Sequence, residues 1–129
     1  MLLGRGFNST KSSFVANLMS HCDILLLQEH WLSDIQLPTL GDIKRNILYN
    51  GISGFDHNEV LPGHPYGGCA ILWHYDLNLT VLSIAVDSRW MCAISLSNDH
   101  WKLIIMNVYM PFEVVMGWLT EKRTDIRYF

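Results

Sequence analysis

A carboxylate at the end of an apolar run is the first feature of this sequence that indicates chemistry. Residues 24–27 are consecutive aliphatic side chains, and Gln28 and Glu29 follow them directly. A run this short and this apolar predicts a strand that is buried on both faces. Glu29 would then lie where a rigid strand leaves the core, a position suited to binding a hard divalent cation through oxygen. The alternative is a strand-end glutamate that only faces water.

The composition indicates one folded domain. The chain has 129 residues, of which 50% are hydrophobic and 16% are charged, and its formal net charge is -3. The absence of a lysine and arginine cluster weakens the case for nonspecific binding to nucleic acid, but a metal-dependent nuclease remains open because its cation would supply positive charge. No apolar run approaches the roughly 20 residues that span a bilayer, so we expect no membrane partner.

The cysteines indicate an intracellular protein. Cys22, Cys69 and Cys92 lie far apart in the sequence and form no Cys-x-x-Cys pair, so a zinc site has no support. An odd number of cysteines in a chain of this length favours reduced, buried thiols. The apolar stretch at the N-terminus is too short for a signal peptide. We therefore expect an intracellular location, nuclear or cytoplasmic.

The residues before Glu29 predict a helix that packs on its strand. Phe14, Leu18 and Met19 recur at helical spacing, with Val15 and Cys22 beside them, and indicate a helix over residues 10–21. A helix followed at once by an apolar strand is typical of an α/β layer. We expect the stripe through Phe14, Leu18 and Met19 to be its buried face.

The second part of the chain predicts an antiparallel meander. Gly67 and Gly68 permit a turn or a close backbone approach before a strand begins. Three β-rich runs follow, over residues 77–82, 90–96 and 101–109. Residues 97–100 have the composition of a hairpin turn.

Three segments, taken in order, resemble a known family. Residues 23–32 contain Leu-Gln-Glu after the apolar run, residues 65–73 contain Gly-Gly-Cys-Ala-Ile-Leu, and residues 107–111 are Asn-Val-Tyr-Met-Pro. Together they resemble the endonuclease/exonuclease/phosphatase superfamily, and most closely the apurinic-type endonuclease domain of LINE-type (non-LTR) retrotransposons. The resemblance implies a partial domain over residues 1–112, the N-terminal half of the family domain, and a divergent tail over residues 113–129.

The resemblance implies both a fold and an activity. The fold is a four-layer α/β sandwich, in which two facing mixed sheets carry helices on their outer sides. The activity is hydrolysis of DNA phosphodiester bonds with Mg²⁺ or Mn²⁺ as cofactor. Glu29 matches the family's metal-binding glutamate, and Tyr109 matches a tyrosine whose hydroxyl approaches the scissile phosphate. Asn107 would fix the end of its strand, and Gln28 would support Glu29 without binding the metal.

The chain departs from the family pattern in ways that bear on activity. Leu3 and Phe112 occupy positions where the family has asparagines, and its Asp-x-Asn and Ser-Asp-His motifs do not follow Tyr109. The missing motifs orient the nucleophile and transfer protons, so we expect an incomplete endonuclease domain that is weakly active or inactive. The alternative is a catalytically dead remnant that acts as an interaction module and self-associates through exposed sheet edges.

Ordinary structural roles compete with these assignments. Tyr109 could be a strand tyrosine with one apolar face and one wet tip. Residues 98–100, Asn-Asp-His, imitate a family motif but lie before the tyrosine, so we interpret them as a turn. The histidines show no metal-ligand spacing, and we expect them at the surface or at helix ends. His30 follows Glu29, and because successive strand residues point to opposite faces, we expect it outside any shared ligand sphere.

Overall fold

A computed structural model describes residues 9–54 and 67–109 of the chain. These residues form helix α1 (Ser9–Met19), a 3₁₀ helix (Leu37–Asp42) and the strands β1 (Ile24–Gln28), β2 (Ile47–Ile52), β3 (Cys69–His74), β4 (Thr80–Ile84), β5 (Met91–Ser97) and β6 (Lys102–Val108). Among them, no helix is long and apolar enough to cross a membrane. The expectations for Leu3, Phe112 and residues 113–129 lie outside the described residues.

The strands form two three-stranded sheets that pack face to face. Their orders are β1-β3-β2 and β4-β5-β6. Alternate residues of a strand point to one face, so every second residue of each central strand enters the shared core. That core contains Cys69, Ile71 and Trp73 of β3 together with Cys92, Ile94 and Leu96 of β5. The predicted α/β sandwich of two facing sheets is confirmed, although the described pairings are all antiparallel whereas mixed sheets were expected.

Helix α1 and the 3₁₀ helix cover the outer face of the first sheet. Val15 and Met19 are fully buried against Leu27 and Leu72, whereas Phe14 is 50% exposed. The prediction that Phe14 belongs to the buried stripe is therefore wrong. Residues four apart share one face of a helix, and a shift of one residue turns a side chain by about 100°. The buried face is centred on Val15 and Met19 for that reason.

Strand β1 lies at the edge of its sheet, and β3 is the central strand. Among the described strands, β1 pairs only with β3. Both faces of β1 contact core residues, since Leu25 packs towards the helices and Leu26 towards the second sheet. Of its residues, however, only Leu27 is fully buried, because no described strand pairs with its second edge. In β3, by contrast, the first five of its six residues are buried, and these point to both faces.

The predicted meander and its turn are confirmed. Strands β4, β5 and β6 pair in sequence order with antiparallel registers. Between β5 and β6, the Asn98 side-chain oxygen accepts hydrogen bonds from the backbone N–H groups of His100 and Trp101, at 2.8 and 3.0 Å. The Asn98 N–H donates to the Trp101 carbonyl at 3.1 Å. Residues 98–100 therefore form a turn, as interpreted from their position.

Two reduced thiols meet between the sheets. Cys69 and Cys92 are buried and free, and their Sγ atoms are 3.7 Å apart, whereas Cys22 is only partly buried. The Cys69 thiol also lies 3.4 Å from the Asn107 carbonyl oxygen. Contact with Cys69, followed by burial, raises the pKa of Cys92, so this thiol stays protonated. The expectation of reduced, buried cysteines is confirmed for this pair.

Candidate active site at the rim of the two sheets

Glu29 and Tyr109 meet where one strand of each sheet ends. Glu29 directly follows β1, and Tyr109 directly follows β6. The Tyr109 hydroxyl donates a hydrogen bond to Glu29 Oε1 at 2.5 Å. The sheets therefore bring together the two residues that the resemblance assigned to metal and phosphate, although 80 positions separate them in the sequence.

Asn107 joins β6 to both neighbouring strands of the other sheet. Its side chain is 2% exposed, and its Nδ2 donates to the carbonyl oxygens of Leu27 at 2.8 Å and Ala70 at 2.9 Å. Gln28 Nε2 donates to Asn107 Oδ1 at 3.1 Å and to the Val108 carbonyl at 2.8 Å. Asn107 thus connects the end of β6 to the backbone of both strands. The Gln28 side chain therefore bonds the Asn107 amide and the β6 backbone, and the described hydrogen bonds include none from it to the Glu29 carboxylate.

The glycine pair before β3 packs directly against the residues of the site. Gly67 and Gly68 have φ angles of 74° and 88°, a region that favours glycine. Their carbonyl oxygens accept the N–H groups of Trp31 at 3.2 Å and Glu29 at 2.8 Å. A Cβ on Gly67 would lie 3.1 Å from the Tyr109 ring. The expected turn and close backbone approach are therefore confirmed.

His30 is buried, so the expectation that it lies at the surface is wrong. Its Nε2 donates to the Ile52 carbonyl at 2.8 Å, and its Nδ1 accepts the Leu32 N–H at 3.0 Å. Burial lowers the pKa of His30, which keeps the imidazole neutral. The preceding residue has φ 57°, so strand alternation ends there and the ring turns into the interior beside Gly68. The burial of His30 could not be predicted from the sequence, because glutamate and tryptophan, the residues on either side, rarely adopt a positive φ.

The Glu29 carboxylate could bind a cation whose other ligands are water and phosphate oxygens, rather than one bound by protein side chains alone. Among residues 9–54 and 67–109, no group of three or more histidine, cysteine, aspartate or glutamate side chains could hold a metal ion. Mg²⁺ commonly binds proteins through only one or two carboxylates and completes its shell with water and phosphate oxygens. The oxygen donor at Glu29 fits such a cation.

Trp90 and Arg89 border this site on the side of the second sheet. The Tyr109 N–H donates to the Trp90 carbonyl at 2.7 Å. The Arg89 guanidinium lies over the Trp90 ring, 4.8 Å from its centroid, in the geometry of a cation–π contact. Sequence reasoning did not select Arg89, since an isolated arginine at a strand start has no distinguishing pattern. The arrangement holds the Arg89 guanidinium against the indole of the residue whose carbonyl bonds the Tyr109 N–H.

Tyr109 is a hydrogen-bond donor at neutral pH. Burial, the hydrogen bond to Glu29 and the charge of that carboxylate together raise the pKa of Tyr109 to about 12. The folded chain therefore holds the phenolic proton more tightly than the unfolded chain, whose tyrosines titrate near 10. This contribution to stability is fully present below pH 10, and it is lost as the pH rises through 12.

Replacing Glu29 with glutamine is expected to lower the pKa of Tyr109 towards its ordinary value, because the carboxylate charge is removed and only burial remains in full. The measurement is an NMR pH titration of the Tyr109 ring, assigned with a Tyr109→Phe variant. Asp99→Asn is the matched control, since Asp99 is an exposed acid in the turn at the far end of the second sheet. Equal Tyr109 pKa values in the two variants would contradict the Glu29 contact.

Comparison with known proteins identifies the family. The profile of the Endonuclease/Exonuclease/phosphatase family matches residues 5–124. Among solved structures, the chain is similar to the endonuclease domain of TRAS1, a telomere-specific non-LTR retrotransposon, with a TM-score of 0.55 and 13% sequence identity. The match covers 95% of this chain and 51% of that one, so this chain spans about half the length of that structure. No curated protein matches the sequence. Because the family profile covers most of the sequence, the chain belongs to the endonuclease/exonuclease/phosphatase family.

Proposed function

We propose that this chain carries the cation-binding part of a metal-dependent endonuclease of retrotransposon origin that cleaves DNA. The observation that carries the proposal is the contact between Glu29 and the Tyr109 hydroxyl, at the rim where the two sheets meet. Membership of a nuclease and phosphatase family that generally depends on a divalent metal supports it. The fold shared with a retrotransposon endonuclease supports the choice of DNA as substrate.

Each residue at the rim has a separate role in this proposal. Glu29 binds Mg²⁺ or Mn²⁺, and the bound cation would neutralise negative charge that develops on a phosphate. Tyr109 keeps its proton at neutral pH, and its hydroxyl donates that proton in a hydrogen bond to the Glu29 carboxylate. When a phosphate is bound, the hydroxyl could donate the same proton to a phosphate oxygen instead. Asn107 and Gln28 attach β6 to the first sheet through hydrogen bonds.

We propose that this chain has weak nuclease activity or none. Hydrolysis requires an oriented water molecule and a group that accepts its proton. In the described part of the chain, the imidazole nearest to Glu29 is that of His30, and both of its ring nitrogens are in hydrogen bonds to the backbone. Neither the Tyr109 phenol, which holds its proton, nor the Asn107 amide can act as a base. The cation site therefore lacks a described partner for water activation.

Cation binding tests the central part of this proposal. Tb³⁺ replaces hard divalent cations, and nearby aromatic side chains such as Tyr109 sensitise its luminescence. We expect saturable Tb³⁺ binding that Mg²⁺ displaces, with an affinity at least about tenfold lower in Glu29→Gln than in the wild type. Asp99→Asn, which removes an equal charge far from the rim, should bind as the wild type does. Equal affinities in Glu29→Gln and the wild type would reject the site.

A plasmid assay tests the activity status with the same proteins. In Mg²⁺, we expect the wild-type chain to nick supercoiled plasmid no faster, or only slightly faster, than Glu29→Gln does. Rapid nicking that depends on Glu29 would reject the low activity while supporting the endonuclease assignment. Tb³⁺ binding and nicking therefore report on different parts of the proposal.

A second candidate function is self-association, and the outer face of the second sheet favours it. Leu82 and Ile104 flank Ser95 in register on that face, and Met106 follows along β6. Leu82, Ile104 and Met106 are 59%, 55% and 59% exposed. We propose that a second copy of the chain covers these side chains. Light scattering should then detect a dimer that Ile104→Lys disrupts, and a wild-type monomer at high concentration would reject this function.

A further inference from the structure

The turn that presents Glu29 has an unfavourable backbone. Glu29 and Trp31 have φ angles of 57° and 61°, in the left-handed region that side chains with a Cβ seldom adopt. Such a backbone is unfavourable for a residue with a Cβ, so surrounding contacts must hold the turn. The hydrogen bonds from Glu29 N–H to Gly68 and from Trp31 N–H to Gly67 attach the turn to the glycine pair. They do not explain what holds the residue between these two donors.

The His30 side chain supplies that missing restraint. It is fully buried, and its two ring nitrogens contact two segments: the Ile52 carbonyl at the end of β2 and the Leu32 N–H beyond the turn. With both nitrogens engaged, the tautomer and the orientation of the ring are defined. A Cβ on Gly68 would lie 2.4 Å from the ring, so the imidazole occupies the space that the missing side chain leaves.

We propose that His30 is a positioning residue that directs the Glu29 carboxylate towards the cation and the Tyr109 hydroxyl. The ring connects the turn to β2 on one side of Glu29, and Gly68 bonds the Glu29 N–H on the other. The backbone of Glu29 is thereby restrained from two directions while its side chain remains at the rim. His30 touches neither the cation nor the phosphate in this role. The inference rests on the proposed function, since the cation is the one that Glu29 binds.

The test compares two His30 variants with a matched histidine variant. His30→Ala removes both hydrogen bonds, whereas His30→Asn keeps an acceptor for the Leu32 N–H and loses the bond to Ile52. His74→Ala is the control, because His74 Nε2 also bonds backbone carbonyls, those of Met19 and Cys22, but at the opposite end of β3. All three variants should be less stable than the wild type, so stability alone does not distinguish positioning from packing.

Two measurements on folded protein make the distinction. The first is Tb³⁺ affinity, corrected for the folded fraction. We expect a loss of about tenfold in His30→Ala, an intermediate loss in His30→Asn and no change in His74→Ala. The second measurement uses metal-free protein and records NOEs between the Tyr109 ring and the Glu29 methylene protons. We expect these NOEs in the wild type and in His74→Ala, and weaker NOEs in the His30 variants.

The two measurements separate failure of the inference from failure of the proposed function. If the wild type binds no Tb³⁺, the cation site is rejected, and the NOEs alone decide whether His30 directs Glu29. Wild-type Tb³⁺ affinity and wild-type NOEs in His30→Ala would overturn the inference while leaving the cation site intact. If His30→Ala does not fold, His30→Asn decides by the same two criteria.

Discussion

Replacing Asn107 with aspartate is expected to lower the free energy of unfolding by about 3–5 kcal/mol, enough to unfold a domain of ordinary stability. The asparagine Nδ2 donates to two carbonyl oxygens, those of Leu27 and Ala70, inside a site that is 2% exposed. An aspartate would place an acceptor against both carbonyls and would bury a negative charge whose described hydrogen-bond donor is only the neutral Gln28 amide. Three strands from two sheets would lose their common connection.

Urea unfolding followed by circular dichroism measures this change. The matched control is Asn17→Asp, since Asn17 is exposed on α1 and the same substitution there should alter stability by no more than about 0.5 kcal/mol. An Asn107→Asp variant that unfolds at the wild-type urea concentration would show that the amide does not connect the sheets. If the Asn107→Asp variant unfolds, it should also lose Tb³⁺ binding, because Asn107 bonds the strand that Glu29 follows.

The local pattern of the sequence predicted the second sheet better than the first. The meander of β4, β5 and β6 joins neighbouring strands through short connections, so alternation and the Asn98 turn were sufficient. In the first sheet, β3 lies between β1 and β2 and pairs with residues far away in the sequence. Strand order of this kind depends on tertiary packing, which a periodic pattern does not contain. The edge position of β1 was missed for that reason.

The site shows the same division between local and nonlocal information. Glu29 was selected from its own surroundings, because a carboxylate after an aliphatic run is visible in the sequence. Its contact with Tyr109 was expected only through the family resemblance, since 80 positions separate the residues. The buried His30 was missed entirely, because its place depends on a positive φ at Glu29 that local propensity disfavours. Strain of this kind marks sites that the surrounding fold maintains.

Replacing Gly68 with alanine is expected to lower the free energy of unfolding by about 2–5 kcal/mol, through two separable effects. The new Cβ would lie 2.4 Å from the His30 ring, which is held by hydrogen bonds to the backbone and cannot easily move away. The residue would also keep a φ of 88°, which strains any side chain. Gly41→Ala is the matched control, because its Cβ would meet Tyr49 at 3.4 Å, an ordinary contact.

A double-mutant cycle separates the two effects of Gly68→Ala. In a His30→Ala background the ring is absent, so only the backbone strain should remain and the destabilisation should fall to about 1–2 kcal/mol. Chemical denaturation of the four proteins gives the coupling energy between positions 30 and 68. An equal cost of Gly68→Ala in both backgrounds would mean that the ring yields to the new methyl group. A large coupling would instead show that Gly68 lacks a side chain because His30 occupies its place, which is the packing that the turn at Glu29 requires.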